Sequence, residues 1–213
     1  MAVAERRSVR DQIVAAAIRL FGELGYEQVT MRQLAARAGC SPANLYHHFA
    51  SKYELFVSII EEAMGLHLAG LEEARRRHRD PVAQLRFVLE SHLRLHMERP
   101  EVRLLRQDFH PLRGKELERF IAERDRYERG VREIVARARA DGVFRVRDPK
   151  LAVMVSLAAC TQVDRWYRPE GELSSHEIAR RITDFLLDGF RGCGRGSGPG
   201  TTDEDSEKIG GMG

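Results

Sequence analysis

Nearly every break between the apolar-periodic stretches of this chain carries a helix-capping signal, and almost nothing alternates with the period of a strand. In "VTMRQL", Thr30 stands as an N-cap with Gln33 three residues on, and Val29 and Leu34 are spaced to form a hydrophobic staple. "ASKYEL" repeats the device with Ser51 and Glu54, and "LSSHEI" repeats it with Ser174 and Glu177. "CSPANL" offers Ser41 as cap and Pro42 at the first helical position, where a missing N–H costs nothing; "RDPV" at Asp80 and "RDPK" at Asp148 have the same form. Gly25, Gly39 and Gly142 follow periodic runs, where a left-handed cap residue belongs. The only alternating candidate, "VFRVR" at 143–147, is too short and solitary to build a sheet. These signals predict an all-α fold with helices near 7–24, 31–38, 42–49, 52–78, 81–98, 101–110, 114–140, 149–167 and 174–191.

A chain of 213 residues can bury a substantial core, as one domain or as a small domain joined to a larger one. Cys40, Cys160 and Cys193 are too few and too far apart for a disulfide framework or a CxxC metal knuckle. Neither the apolar core of a secretion signal nor a run long enough to span a bilayer is present, so the expectation is a reduced, cytoplasmic protein without membrane contact. A net charge of +3 permits nucleic-acid binding without demanding it. Residues 192–213, "GCGRGSGPGTTDEDSEKIGGMG", are glycine-rich and nearly free of large apolar side chains. Such a segment cannot offset its ordering entropy, and a disordered tail is expected there.

The predicted helices 31–38 and 42–49 are short, joined by "AGCS", and preceded by a longer amphipathic helix with Ile13, Ala17, Leu20 and Phe21 on one side. Two short helices across a glycine-containing turn make a helix-turn-helix. At about 100° per residue, Leu45 and Phe49 share one face of the second helix, while Ala43 and His47 point away between Asn44 and Tyr46. So short a helix gains no stability from an exposed polar face, and that face is read as a recognition surface rather than a merely solvated one. A metal reading of His47 and His48 fails because neighbours on a helix diverge by about 100°, and Cys40 has no matching ligand nearby. No metal is expected there, and double-stranded DNA is the partner that fits.

Residues 10–56, "RDQIVAAAIRLFGELGYEQVTMRQLAARAGCSPANLYHHFASKYELF", closely resemble the DNA-binding domain of TetR-family transcriptional regulators. The likeness covers the whole three-helix unit through "LFGELGYEQVT", "LAARAG", "LYHHF" and "SKYEL". It implies a helix-turn-helix DNA-binding domain over 1–52, a helical effector-binding and dimerisation domain over 53–191, and a tail over 192–213. By that resemblance Thr30 sits where a helix N-terminus holds phosphate, and Arg32 where a guanidinium reaches guanine O6 and N7. Ser41, Pro42, Ala43 and Asn44 form the groove-facing start of the recognition helix, Asn44 suited to adenine and the apolar pair to thymine methyls. Tyr46, His47 and His48 match backbone-clamping positions, and Lys52 a phosphate contact. Packing against the first helix is the alternative for His48, and a small apolar filler the plain reading of Cys40.

The same resemblance implies a homodimer on palindromic operator DNA, built by the last two helices as a four-helix bundle. Ala152, Ser156, Ala158, Ala159 and Cys160 are small enough for close approach there. The stretches 124–145 and 164–179 are similar to the subgroup of repressors released by CoA thioesters of fatty, aromatic or steroid acids. No bound cofactor is expected, only such an effector, with Trp166 and Arg168 beside it and Arg165, Arg124 or Arg126 on the acid groups of CoA. "WYRP" reads equally well as a helix end with an aromatic plug. Phe87, Leu93, Phe109, Phe120 and Tyr127 are candidates for an acyl pocket, or plain core. A second reading of the effector is a lipophilic drug, which makes the chain an efflux regulator. The foothold for an enzyme is "SHLRLH", where His92 and His96 have the i, i+4 spacing of two metal ligands. No HExxH glutamate follows and a third ligand such as His110 is conjecture, so a metal-dependent hydrolase is not expected.

Overall fold

The computed structural model describes residues 8–106 and 111–192. The expected disordered tail, apart from Gly192, lies outside the described residues, as do Phe109 and His110. Within them the chain is all-α: α1 (Val9–Leu24), α2 (Met31–Ala38), α3 (Pro42–His48), α4 (Lys52–Arg77), α5 (Pro81–Glu98), α6 (Pro100–Arg103), α7 (Gly114–Ala140), α8 (Pro149–Thr161) and α9 (Ser175–Arg191). No described helix is long and apolar enough to cross a membrane.

The caps explain the starts. Thr30 and Gln33 close a reciprocal capping box at α2, and Val29 and Leu34 are both buried beside it. Ser41, Asp80 and Asp148 accept backbone N–H groups ahead of the prolines that open α3, α5 and α8. The other two expected boxes are half boxes. Ser51 and Ser174 cap α4 and α9, but Glu54 turns back to the Ala50 N–H at 2.8 Å and Glu177 is taken by Arg180 and Arg181. A further reciprocal box, Ser8 with Asp11, starts α1 at Val9. Gly39 ends α2 at φ 69°, in the left-handed region, and turns the chain into α3.

Two expected helices tighten into 3-10 turns within the described residues. The 101–110 element, described as far as Arg106, is α6 followed by a 3-10 turn, Leu104–Arg106, held on α5 by Arg103 donating to the His96 and Met97 carbonyls at 3.3 and 2.8 Å. The 149–167 element stops at Thr161, whose hydroxyl donates to the Leu157 carbonyl at 2.8 Å, and the chain tightens into a 3-10 turn, Gln162–Arg165. "VFRVR" forms no strand; the Arg145 N–H bonds the Phe190 carbonyl at 2.9 Å, tying the segment to the end of α9.

One buried apolar cluster runs through the described chain, from Ile13 to Phe190. At the amino-terminal end, Phe21, Tyr26 and Phe56 meet with ring centroids 4.9–5.6 Å apart, so α4 is packed into the three-helix unit from its first turn. Further along, α4 packs on α5 and α7, while α8 and α9 both lie against α5. α7 comes so near α4 that a Cβ at Gly130 would run into Leu71 Cδ2. That approach brings the α7 side chains one turn earlier, at Tyr127, level with α4 at His67.

Candidate functional site

The surface of α2 and α3 comes first. Thr30, Arg32, Ser41, Pro42, Ala43, Tyr46 and His47 are exposed, and Asn44 and His48 are half-buried. Leu45 and Phe49 lock α3 onto the core, so the opposite face stands out by geometry alone. The Ser41 oxygen accepts the Asn44 N–H at 3.1 Å, which leaves its hydroxyl hydrogen for another acceptor. Thr30 is more committed: its oxygen accepts from the Gln33 N–H and its hydroxyl donates to Gln33 Oε1 at 2.7 Å. At this helix start the backbone N–H groups of the first turn, rather than the threonine hydroxyl, are what an anion meets. His47 and His48 cross edge-to-face at 5.3 Å.

Lys52 does not reach outward. Its ammonium donates to the Tyr26 and Glu27 carbonyls at 2.8 and 3.3 Å and lies 4.3 Å from the Tyr26 ring centroid. It therefore joins the start of α4 to the turn between α1 and α2. One residue on, Tyr53 Oη donates to the Arg113 carbonyl and accepts the Arg113 N–H, both at 3.3 Å, which connects α4 to the residue before α7.

A cavity of about 410 Å³ opens among α4, α5, α7 and α8. Met64, Leu105, Phe120, Met154, Leu157 and Ala158 make it mostly apolar; Arg124, Glu128, Tyr127 and Thr161 add polar groups. Of the effector candidates expected from sequence, Phe120, Arg124 and Tyr127 line it, with Arg124 half out in solvent. Phe87 does not: it packs beside His78 and Arg77, at the start of α5, away from the lining. Arg165, Trp166 and Arg168 do not line it either, because the 3-10 turn after Thr161 carries them outward. Trp166 is 55% exposed, and Arg168 donates to the Arg165 and Tyr167 carbonyls of its own turn.

The polar end of the cavity was read only in part from the sequence, through His92, His96 and Tyr127. His67 of α4 faces His92 and His96 of α5, with ring centroids 4.5, 5.4 and 4.8 Å apart around the trio. All three are buried. Burial first, and the charge of neighbouring imidazoles second, hold the pKa of His67 down to about 3 and that of His92 well below its ordinary value. His92 Nδ1 lies 3.1 Å from Tyr127 Oη and Nε2 lies 3.3 Å from Thr161 Oγ1. Since the Thr161 hydroxyl hydrogen goes to Leu157, the threonine oxygen accepts, which assigns the proton of His92 to Nε2 and leaves Nδ1 to accept from Tyr127. The spacing of His92 and His96 was visible in sequence; His67, a lone histidine on an apolar face, carried no signal of its own.

Residues 78–190 match the model of the tetracyclin repressor-like C-terminal domain, and residues 13–59 match that of the bacterial regulatory proteins, tetR family. The chain belongs to the TetR family of DNA-binding transcriptional regulators, which are not enzymes. Among its relatives, the HTH-type transcriptional repressor KstR2 of Mycolicibacterium smegmatis is 26% identical over 206 residues, covering 86% of this chain and 91% of that protein. The TetR-family regulator PfmR of Thermus thermophilus superposes with a TM-score of 0.74 at 36% identity, over 82% of this chain and 96% of that one. AibR, solved with isovaleryl coenzyme A and operator DNA, superposes with a TM-score of 0.76 at 25% identity, over 84% and 98%.

Lys52→Ala is expected to cost about 1–2 kcal/mol of stability, through a lost charge-assisted hydrogen bond and cation–π contact. The salt dependence of DNA binding should then shift by less than about one ion. An unchanged melting temperature with a full one-ion shift would place Lys52 on phosphate instead.

Proposed function

We propose that the chain is a repressor that binds operator DNA as a homodimer and is released when a CoA thioester fills the cavity. The observation that carries the DNA part is the exposed face of α3, anchored from behind by Leu45 and Phe49 inside a tetR-type helix-turn-helix. In this reading Arg32 reads a base edge. Pro42, Ala43 and Asn44 enter the major groove, and Ser41, Tyr46, His47 and His48 hold the backbone together with the N–H groups that follow Thr30. Two such units must sit about 34–36 Å apart to enter successive major grooves.

A dimer face is available. α8 and α9 expose Leu151, Val155 and Phe185, the last at 77%, around a groove of about 840 Å³ between the two helices. Apolar side chains gathered in this way are normally covered by a partner. The effector part rests on the cavity and on AibR, which is named for a complex with isovaleryl coenzyme A. An apolar chamber of this size suits an acyl group, and the half-exposed Arg124 at its rim suits the anionic CoA moiety left outside. A cationic drug needs buried carboxylates; Glu128, the one carboxylate among the lining residues, faces Arg132 at 3.7 Å.

Release follows from the connection between the two parts. α4 starts beside the helix-turn-helix and carries Met64 and His67 into the cavity wall, while Tyr53 and Arg113 tie it to α7, which carries Phe120, Arg124 and Tyr127. A ligand that resets α7 against α4 changes the spacing of the recognition helices.

Three outcomes test this. Arg32→Ala is expected to lose about 5- to 150-fold in discrimination between operator and scrambled duplex, read by fluorescence anisotropy; an equal loss on both would take Arg32 off the bases. One acyl class of CoA thioester should weaken operator binding by about tenfold or more, with free CoA inert; a panel without effect would remove the effector and leave the DNA role standing. Phe185→Arg should convert the dimer to monomer in sedimentation velocity, and a dimer that survives it would move the interface elsewhere.

A further inference from the structure

Three histidines that meet at one end of the cavity serve neither DNA binding nor acyl recognition in the reading above. One ring nitrogen from each lies within 4.8 Å of one from either neighbour, and none of the three residues is more than 6% exposed. His92 and His96 face the same way because they stand one helical turn apart, and His67 comes to them from α4. His67 Nδ1 is buried and has no hydrogen-bond partner within the described structure. A buried polar nitrogen left without a partner calls for a physical reason, and a bound ion is one.

We propose that His67, His92 and His96 bind one divalent transition-metal ion of the zinc, cobalt or nickel class, with the remaining coordination position open to the cavity. The donor set is nitrogen only, which suits these borderline ions and not calcium or magnesium. Three imidazoles with a fourth position free is the arrangement of an open zinc site, not of a closed structural one. His92 already has its second partner: Nε2–H donates to Thr161, the outer hydrogen bond that orients a metal-binding imidazole, and Nδ1 is the lone pair left for the ion. Tyr127, which now donates to that nitrogen at 3.1 Å, is then freed toward the open position. Metal–nitrogen bonds of about 2.0–2.1 Å require donor atoms about 3.4 Å apart in a tetrahedron, so the imidazoles must close in by side-chain rotation. The third ligand in this proposal is His67; His110, the conjecture from sequence, lies outside the described residues. The free position faces the same chamber as Arg124 and Phe120, so a carboxylate or carbonyl oxygen of whatever enters is the natural fourth ligand.

The test uses the full chain, stripped of metal by a chelator and dialysed against cobalt(II). About one cobalt per chain is expected, with the visible d–d bands of a low-coordinate ion, displaced by zinc. His67→Phe and His96→Phe should each weaken binding by more than about 100-fold, whereas His176→Ala, on the exposed side of α9, should leave it unchanged. Where a variant loses helicity by circular dichroism, X-ray absorption of the intact protein decides: three imidazoles around cobalt support the site and one or none overturns it. Cobalt bound at less than about a tenth of an equivalent, or equally well by both phenylalanine variants, also overturns it.

Discussion

Everything in this molecule depends on α4 being packed at both ends. Its first turns belong to the amino-terminal unit, where Phe56 closes an aromatic cluster with Phe21 and Tyr26 and where Lys52 holds the α1–α2 turn by its carbonyls. Its later turns lie in the larger bundle, against α5 and against an α7 that approaches closely only because residue 130 has no side chain. A helix of 26 residues, roughly 39 Å at 1.5 Å per residue, is stiff over that length. In the proposed mechanism, a displacement at the cavity is therefore delivered to the other end of α4 as rotation or translation, not absorbed on the way.

The DNA-facing surface is economical in what it exposes. α3 has seven residues and one fully buried side chain, so its placement rests on the Leu45 contact, the Phe49 anchor just beyond it and the caps at each helix start. The helix-turn-helix is thus rigid through backbone geometry, with Gly39 at a positive φ and two serine or threonine caps within twelve residues, Thr30 and Ser41.

The cavity has the opposite character. Its walls are apolar, yet at one end three buried imidazoles meet ring against ring, and one of them, His92, is hydrogen-bonded to a tyrosine and a threonine. The hydrogen bonds of His92 fix its tautomer, and the cluster gives the chamber a directional end, with Arg124 near solvent supplying the charge at its rim.

Much of this was legible in the sequence. The caps at Thr30, Ser41, Ser51, Asp80, Asp148 and Ser174 placed the helix starts, because a cap is a contact between residues two or three apart and needs nothing distant. The recognition face followed from the period of one short helix. The 3-10 turns after Arg103 and Thr161 were less legible, since both side chains bond carbonyls that a periodic pattern does not see. What lines the cavity was decided by tertiary structure alone. Phe87 and Phe120 look alike in sequence, and only the packing of α7 against α4 puts one in the cavity wall and leaves the other beside His78. His67 gained its neighbours in the same way, from a helix crossing that no local spacing encodes, because apolar periodicity states which face of a helix is buried and not what it is buried against.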